Sequence, residues 1–84
     1  MNIMKILICI DNVSSDDFPY ELIEKYTNYE IEWDCPVFIK ENQQIRLGDF
    51  VNDPELENIY FSVGEIDWIK VDNKIFPRLW LNEV

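Results

Sequence analysis

The sequence predicts a mainly β domain, a β-rich α+β fold in which five to six strands form a small antiparallel sheet or an SH3-like barrel beside one short helix. Three observations carry this. Apolar segments of four to eight residues recur along the chain, separated by polar, Pro- or Asn-bearing turns. One stretch alone has helical spacing. The C-terminal third holds two long β-rich runs joined by Asp72-Asn73, residues that accept the positive φ angles of a two-residue hairpin turn.

Taken in order, Lys5 to Ile10 is an aliphatic run without polar alternation, the pattern of an interior strand buried on both faces. Asp11 to Pro19 is a polar loop in which Ser14, Ser15, Asp16 and Asp17 are candidate helix caps. It lacks the glycine and terminal glutamate of a calcium loop. Pro19 suits a first helical turn, and a helix from Pro19 to Tyr26 would bury Tyr20, Ile23 and Tyr26. Being short, it must dock to be stable.

Tyr29 to Asp34 alternates cleanly, with Tyr29, Ile31 and Trp33 on one face and Glu30, Glu32 and Asp34 on the other. This predicts a half-buried strand with an acidic outer side. A bend at Cys35-Pro36 leads into an extended Val37-Phe38-Ile39. After the polar turn at Glu41 to Gln44, the residues Ile45, Leu47, Phe50 and Val51 read as a strand whose alternation Gly48 shifts. Asn52 to Asn58 is a turn-rich connection.

The turn at Asp72-Asn73 fixes the hairpin register, setting Lys70 against Ile75, Ile69 against Phe76, Trp68 against Pro77, Asp67 against Arg78 and Ile66 against Leu79. One face then carries Ile66, Trp68, Ile75, Pro77, Leu79 and Leu81, and the other Ile69, Val71, Phe76 and Trp80. Pro77 cannot donate to a ladder, which predicts an edge strand or a bulge there. The apolar phase of Phe61 and Val63 flips beyond Gly64, which predicts a bulge at that glycine.

Composition narrows the chemistry. Eighty-four residues suit a single domain spanning 1–84, with one small core. Histidine is absent, so Ser-His and Cys-His nucleophile designs are excluded, and two cysteines make no four-ligand zinc site. Gly48 and Gly64 stand alone, so no phosphate-cradling loop exists. The chain reads as non-enzymatic, with no cofactor and no metal. The apolar start is too short for a signal peptide and no run could span a membrane, which points to the cytoplasm and to no membrane partner. Cys9 and Cys35 read as reduced thiols, Cys9 in an apolar run as a small hydrophobe.

A formal charge of −10 opposes direct nucleic-acid binding. Residues 11–34 hold eight acids and one base, Lys25, for a local charge of −7. These acids make a candidate binding surface for a protein with a basic, nucleic-acid-handling face, with Asp16, Asp17, Glu21, Glu24, Glu30, Glu32 and Asp34 as the contacting residues. Small, acidic, aromatic-rich chains without cofactor motifs are similar in type to inhibitor and accessory proteins of phages and mobile elements, a similarity that no motif carries. The alternative is an oligomeric small-ligand binder. There Tyr60, Trp68, Ile69, Phe76 and Trp80 would supply a pocket or interface, and a homodimer would cover the second apolar face of the hairpin.

Overall fold

The computed structural model describes residues 4–13, 18–34 and 38–84. The expected caps at Ser14 to Asp17 and the bend at Cys35-Pro36 lie outside the described residues. Five strands form one curled sheet, a half-barrel, in the order β2-β1-β5-β4-β3. They are β1 (Met4–Asn12), β2 (Tyr29–Trp33), β3 (Gln44–Ile45), β4 (Phe61–Val71) and β5 (Lys74–Glu83), with one helix, α1 (Tyr20–Lys25).

The hairpin forms in the register read from its turn, from Val71 against Lys74 to Ile66 against Leu79. Asp72 and Asn73 have φ of 50° and 65°, the left-handed pair that matches the right-handed twist of the flanking strands. Beyond Ile66 the register shifts between Val63 and Glu65, so a bulge at Gly64 does turn Phe61 and Val63 into the core. Ile6 to Ile10 are all buried, as a strand covered on both faces requires.

Two features of the sheet depart from expectation. It is mixed, because β1 runs parallel to β5 with Leu7 beside Arg78 and Ile10 beside Leu81. β5 is therefore the central strand, and Pro77 is buried within the sheet instead of marking an edge. The hairpin parity accounts for this. The residues closing a two-residue turn are hydrogen-bonded to each other, and bonded and non-bonded pairs then alternate, so Trp68 and Pro77 form a non-bonded pair. The Pro77 nitrogen thus faces β1, and the parallel ladder begins one residue later, at Leu7 and Arg78. The missing donor falls where the ladder ends.

The concave side is filled by Ile6, Ile8, Ile31, Trp33, Phe61, Leu79 and Leu81, closed over by Leu22, Tyr26, Ile39, Leu47, Val51 and Leu56. Helix α1 contributes Leu22 and the residue after it, Tyr26, while Tyr20 is 69% exposed. The expected burial of Tyr20 fails because the helix turns Leu22 inward, with Tyr26 buried at its C-cap, while Ile23 packs partly buried against the core as expected. The N-cap is Pro19, without a side-chain hydrogen bond.

The strand expected from Ile45 to Val51 stops at Ile45 and becomes a 3-10 turn over Leu47–Asp49. Leu47 and Val51 are still buried, because that turn packs on a second one at Pro54–Leu56. Gly48 serves this approach, and not a strand bulge: a Cβ there would sit 3.0 Å from the Leu56 carbonyl oxygen and 3.2 Å from Glu57 Cα.

Two stability measurements check these assignments. Asn73→Val should cost ~1–2 kcal/mol in urea unfolding through the left-handed backbone, whereas Asn73→Gly should cost nothing. Gly48→Ala should cost ~1–3 kcal/mol, since backbone and not a mobile side chain occupies the space.

Candidate functional site

Among the described residues β2 is the outer strand of the sheet and pairs with β1 alone. The Ile10 N–H donates to the Tyr26 carbonyl at 3.1 Å, so even-numbered residues of β1 turn their backbone groups toward β2. In the register Ile8–Tyr29, Ile6–Ile31 and Met4–Trp33, the bonded residues of β2 are therefore Tyr29, Ile31 and Trp33. The N–H and C=O groups of Glu30 and Glu32 point off the sheet, and among the described residues they have no partner.

Glu30, Glu32 and Asp34 are all exposed, as the alternation predicts. Together with Asp49, Phe50 and Asn52 they line an open cleft of about 510 Å³ between β2 and the first 3-10 turn. Neutralisation is slight. Lys5 Nζ lies 4.0 Å from Glu30 and Arg46 Nε 4.0 Å from Asp49, both solvent-exposed pairs of the kind that contributes little. Glu32 and Asp34 have no ion pair among the described residues.

Three of the predicted acids, Glu30, Glu32 and Asp34, share this cleft. Glu21 and Glu24 are exposed on α1 and do not line the β2 cleft. Asp16 and Asp17 lie outside the described residues. Asp49 joins the β2 acids, although nothing in its local sequence marks it; the partnership depends on the sheet's curl.

The wall beside this cleft is anchored by Asp53, whose side chain is 9% exposed. Its Oδ2 accepts from Tyr26 Oη at 2.8 Å and from Lys25 Nζ at 3.2 Å, while Oδ1 accepts from the Glu55 N–H at 3.1 Å as the cap of the second 3-10 turn. The sequence signal was Asp53-Pro54, a capping residue followed by proline at the first helical position. The Tyr26 hydroxyl bond is the main cause holding the Asp53 carboxyl below its usual range. Burial, reinforced by that carboxylate, pushes the Tyr26 hydroxyl up to about 12.

On the convex side, Arg78 grips Asp67 with two hydrogen bonds, Nε to Oδ1 at 3.0 Å and Nη2 to Oδ2 at 2.7 Å. The expected cross-strand pair is thus bidentate, and it holds the Asp67 carboxyl below its usual range. Arg78 also donates through Nη1 to Asn28 Oδ1 at 3.1 Å and lies over the Trp80 ring at 4.6 Å. The Trp80 Nε1–H is buried and faces Asp67 outside good hydrogen-bond geometry. Cys9 is a buried free thiol that donates to Asn28 Oδ1 at 3.2 Å.

The aromatic candidates divide between the two sides. Ile69, Phe76 and Trp80 are half-buried on the convex face. Trp68 is 66% exposed and Ile75 65% exposed on the other face, where the hairpin runs past the core. Tyr60 is exposed beside Arg46, 5.8 Å from ring centre to guanidinium. Trp68 and Trp80 do not meet within one subunit. Among the described residues no three His, Cys, Asp or Glu side chains converge as metal ligands, and no helix is long and apolar enough to cross a membrane.

Tyr26→Phe should lower stability by about 1–2 kcal/mol at neutral pH, the loss of one charge-assisted hydrogen bond. Sign and window follow from the shifts. The raised Tyr26 pKa stabilises fully below about 10 and is lost as pH rises through about 12; the lowered Asp53 pKa stabilises above about 4 and is lost as pH falls through its folded value. Unfolding midpoints of Tyr26→Phe followed from pH 7 to 12 should therefore converge on those of the parent chain at the alkaline end. Comparison with protein-family models, with curated proteins and with solved structures finds no match.

Proposed function

We propose that this protein acts by binding, presenting the acidic side of β2 to a basic surface on another protein, as an inhibitor or accessory protein of a nucleic-acid-handling partner would. One observation carries the reading. Glu30, Glu32 and Asp34 stand exposed on an outer strand and share a cleft with Asp49, and among the described residues these acids make two ion pairs, with Lys5 and Arg46, each at 4.0 Å. Carboxylates so arranged mimic a run of phosphates and steer a cationic partner toward one place.

A second reading, self-association or an aromatic pocket between subunits, has the solvent-open Trp68 and Ile75 in its favour. Against it stands the self-repulsion of a chain of charge −10.

Octalysine titrated at low salt serves as the probe for the first reading. Amide shifts should concentrate at Glu30 to Asp34 and Asp49. Changing Glu30, Glu32 and Asp34 to Lys should weaken binding at least tenfold, and changing Glu41, Glu55 and Glu57 to Lys, an equal change of net charge, should weaken it much less. Equal losses in the two triple variants would reduce the acidic side of β2 to general surface charge. Native mass spectrometry addresses the second reading: a dimer that Trp68→Ser dissociates would favour it over the first.

A further inference from the structure

We propose that the free edge of β2 takes up an extended segment of the partner as a sixth strand, and that the segment alternates basic and apolar residues. This rests on the acidic-surface reading and deepens it. Among the described residues the sheet ends at β2, with the N–H and C=O groups of Glu30 and Glu32 directed outward and without partners, while the far edge, β3, is only two residues long. Strand addition supplies such groups with main-chain partners, and pockets for alternate side chains then give selectivity.

The occupant follows from what flanks the edge. A strand laid beside β2 would sit about 4.8 Å away with its side chains alternating between the two faces. Residues on the Glu30 and Glu32 side meet carboxylates, which calls for Lys or Arg. Their neighbours fall on the side of Tyr29 and Phe50, which calls for apolar side chains. The guest is thus the complement of Tyr29-Glu30-Ile31-Glu32-Trp33. A second copy of this chain fits poorly, because two β2 edges would bring glutamates opposite glutamates. The same acids therefore discourage self-pairing at an otherwise adhesive edge while admitting a cationic strand.

The test uses the whole chain and the peptide acetyl-Lys-Val-Lys-Val-Lys-Val-Lys-amide, with two isomeric analogues. One is N-methylated on two lysines, the other on two valines. Their charges are identical, and only one set of amides can face β2. The parent peptide should bind, with the Glu30 and Glu32 amides gaining protection from hydrogen exchange. One isomer should then bind roughly tenfold more weakly than the other, the loss of two backbone hydrogen bonds. For an antiparallel guest the weak isomer is the N-methyl-lysine one. Equal affinities of the two isomers would overturn strand addition and leave the acidic-surface reading standing. Failure of the parent peptide to bind, in low salt, would overturn both.

Discussion

A two-residue turn fixes more of this molecule than any other contact. Once Asp72 and Asn73 adopt left-handed backbone, every residue of the hairpin is assigned a partner and a face. Leu79 and Leu81 go to the core, Arg78 is set opposite Asp67, and Pro77 turns its nitrogen to the only side where a missing donor is tolerated. A slip by one residue would put the proline in a bonded pair and the leucines in water. Arg78 then ties the hairpin to the residue preceding β2 through Asn28, so the acidic strand is joined to the hairpin across β1 on the face that Glu30 shares with Arg78.

That logic explains why the hairpin was legible and its surroundings were not. Turn chemistry and alternation are local, and they suffice for Phe61 to Glu83, the bulge at Gly64 included. The position of β5 in the middle of the sheet depends on pairing with a strand at the other end of the chain, which no local pattern encodes; taken alone, Pro77 argued for an edge. The segment after Ile45 departs from its strand-like pattern for a related reason. Apolar residues at 45, 47, 50 and 51 fit a strand with one shift, and only the approach of Leu56 to Gly48 selects a 3-10 turn.

The candidate site divides in the same way. The acidic face of β2 is visible in five residues of sequence. Its status as an outer strand, and the arrival of Asp49 on the facing wall, are products of the curl. Asp53 shows the opposite case. It lies in what reads as a turn-rich connection, yet it is nearly buried and joins α1 to the second 3-10 turn through Tyr26 and Lys25. An acid-rich chain can thus spend one carboxylate on architecture and leave others free, and only packing tells them apart.

The parallel pairing of β1 with β5 also bears on how the chain is made. Ribosomal synthesis proceeds from the N-terminus, so Ile6 to Ile10, an aliphatic strand meant to be covered on both faces, emerges long before Arg78 to Leu81 exist to pair with it. The antiparallel partner β2 follows soon after and can shield one flank. The other flank must wait for Arg78 to Leu81. The residues translated next, 11–34, carry eight acids against one base, a charge of the sign that opposes association of like chains while that flank is unpaired.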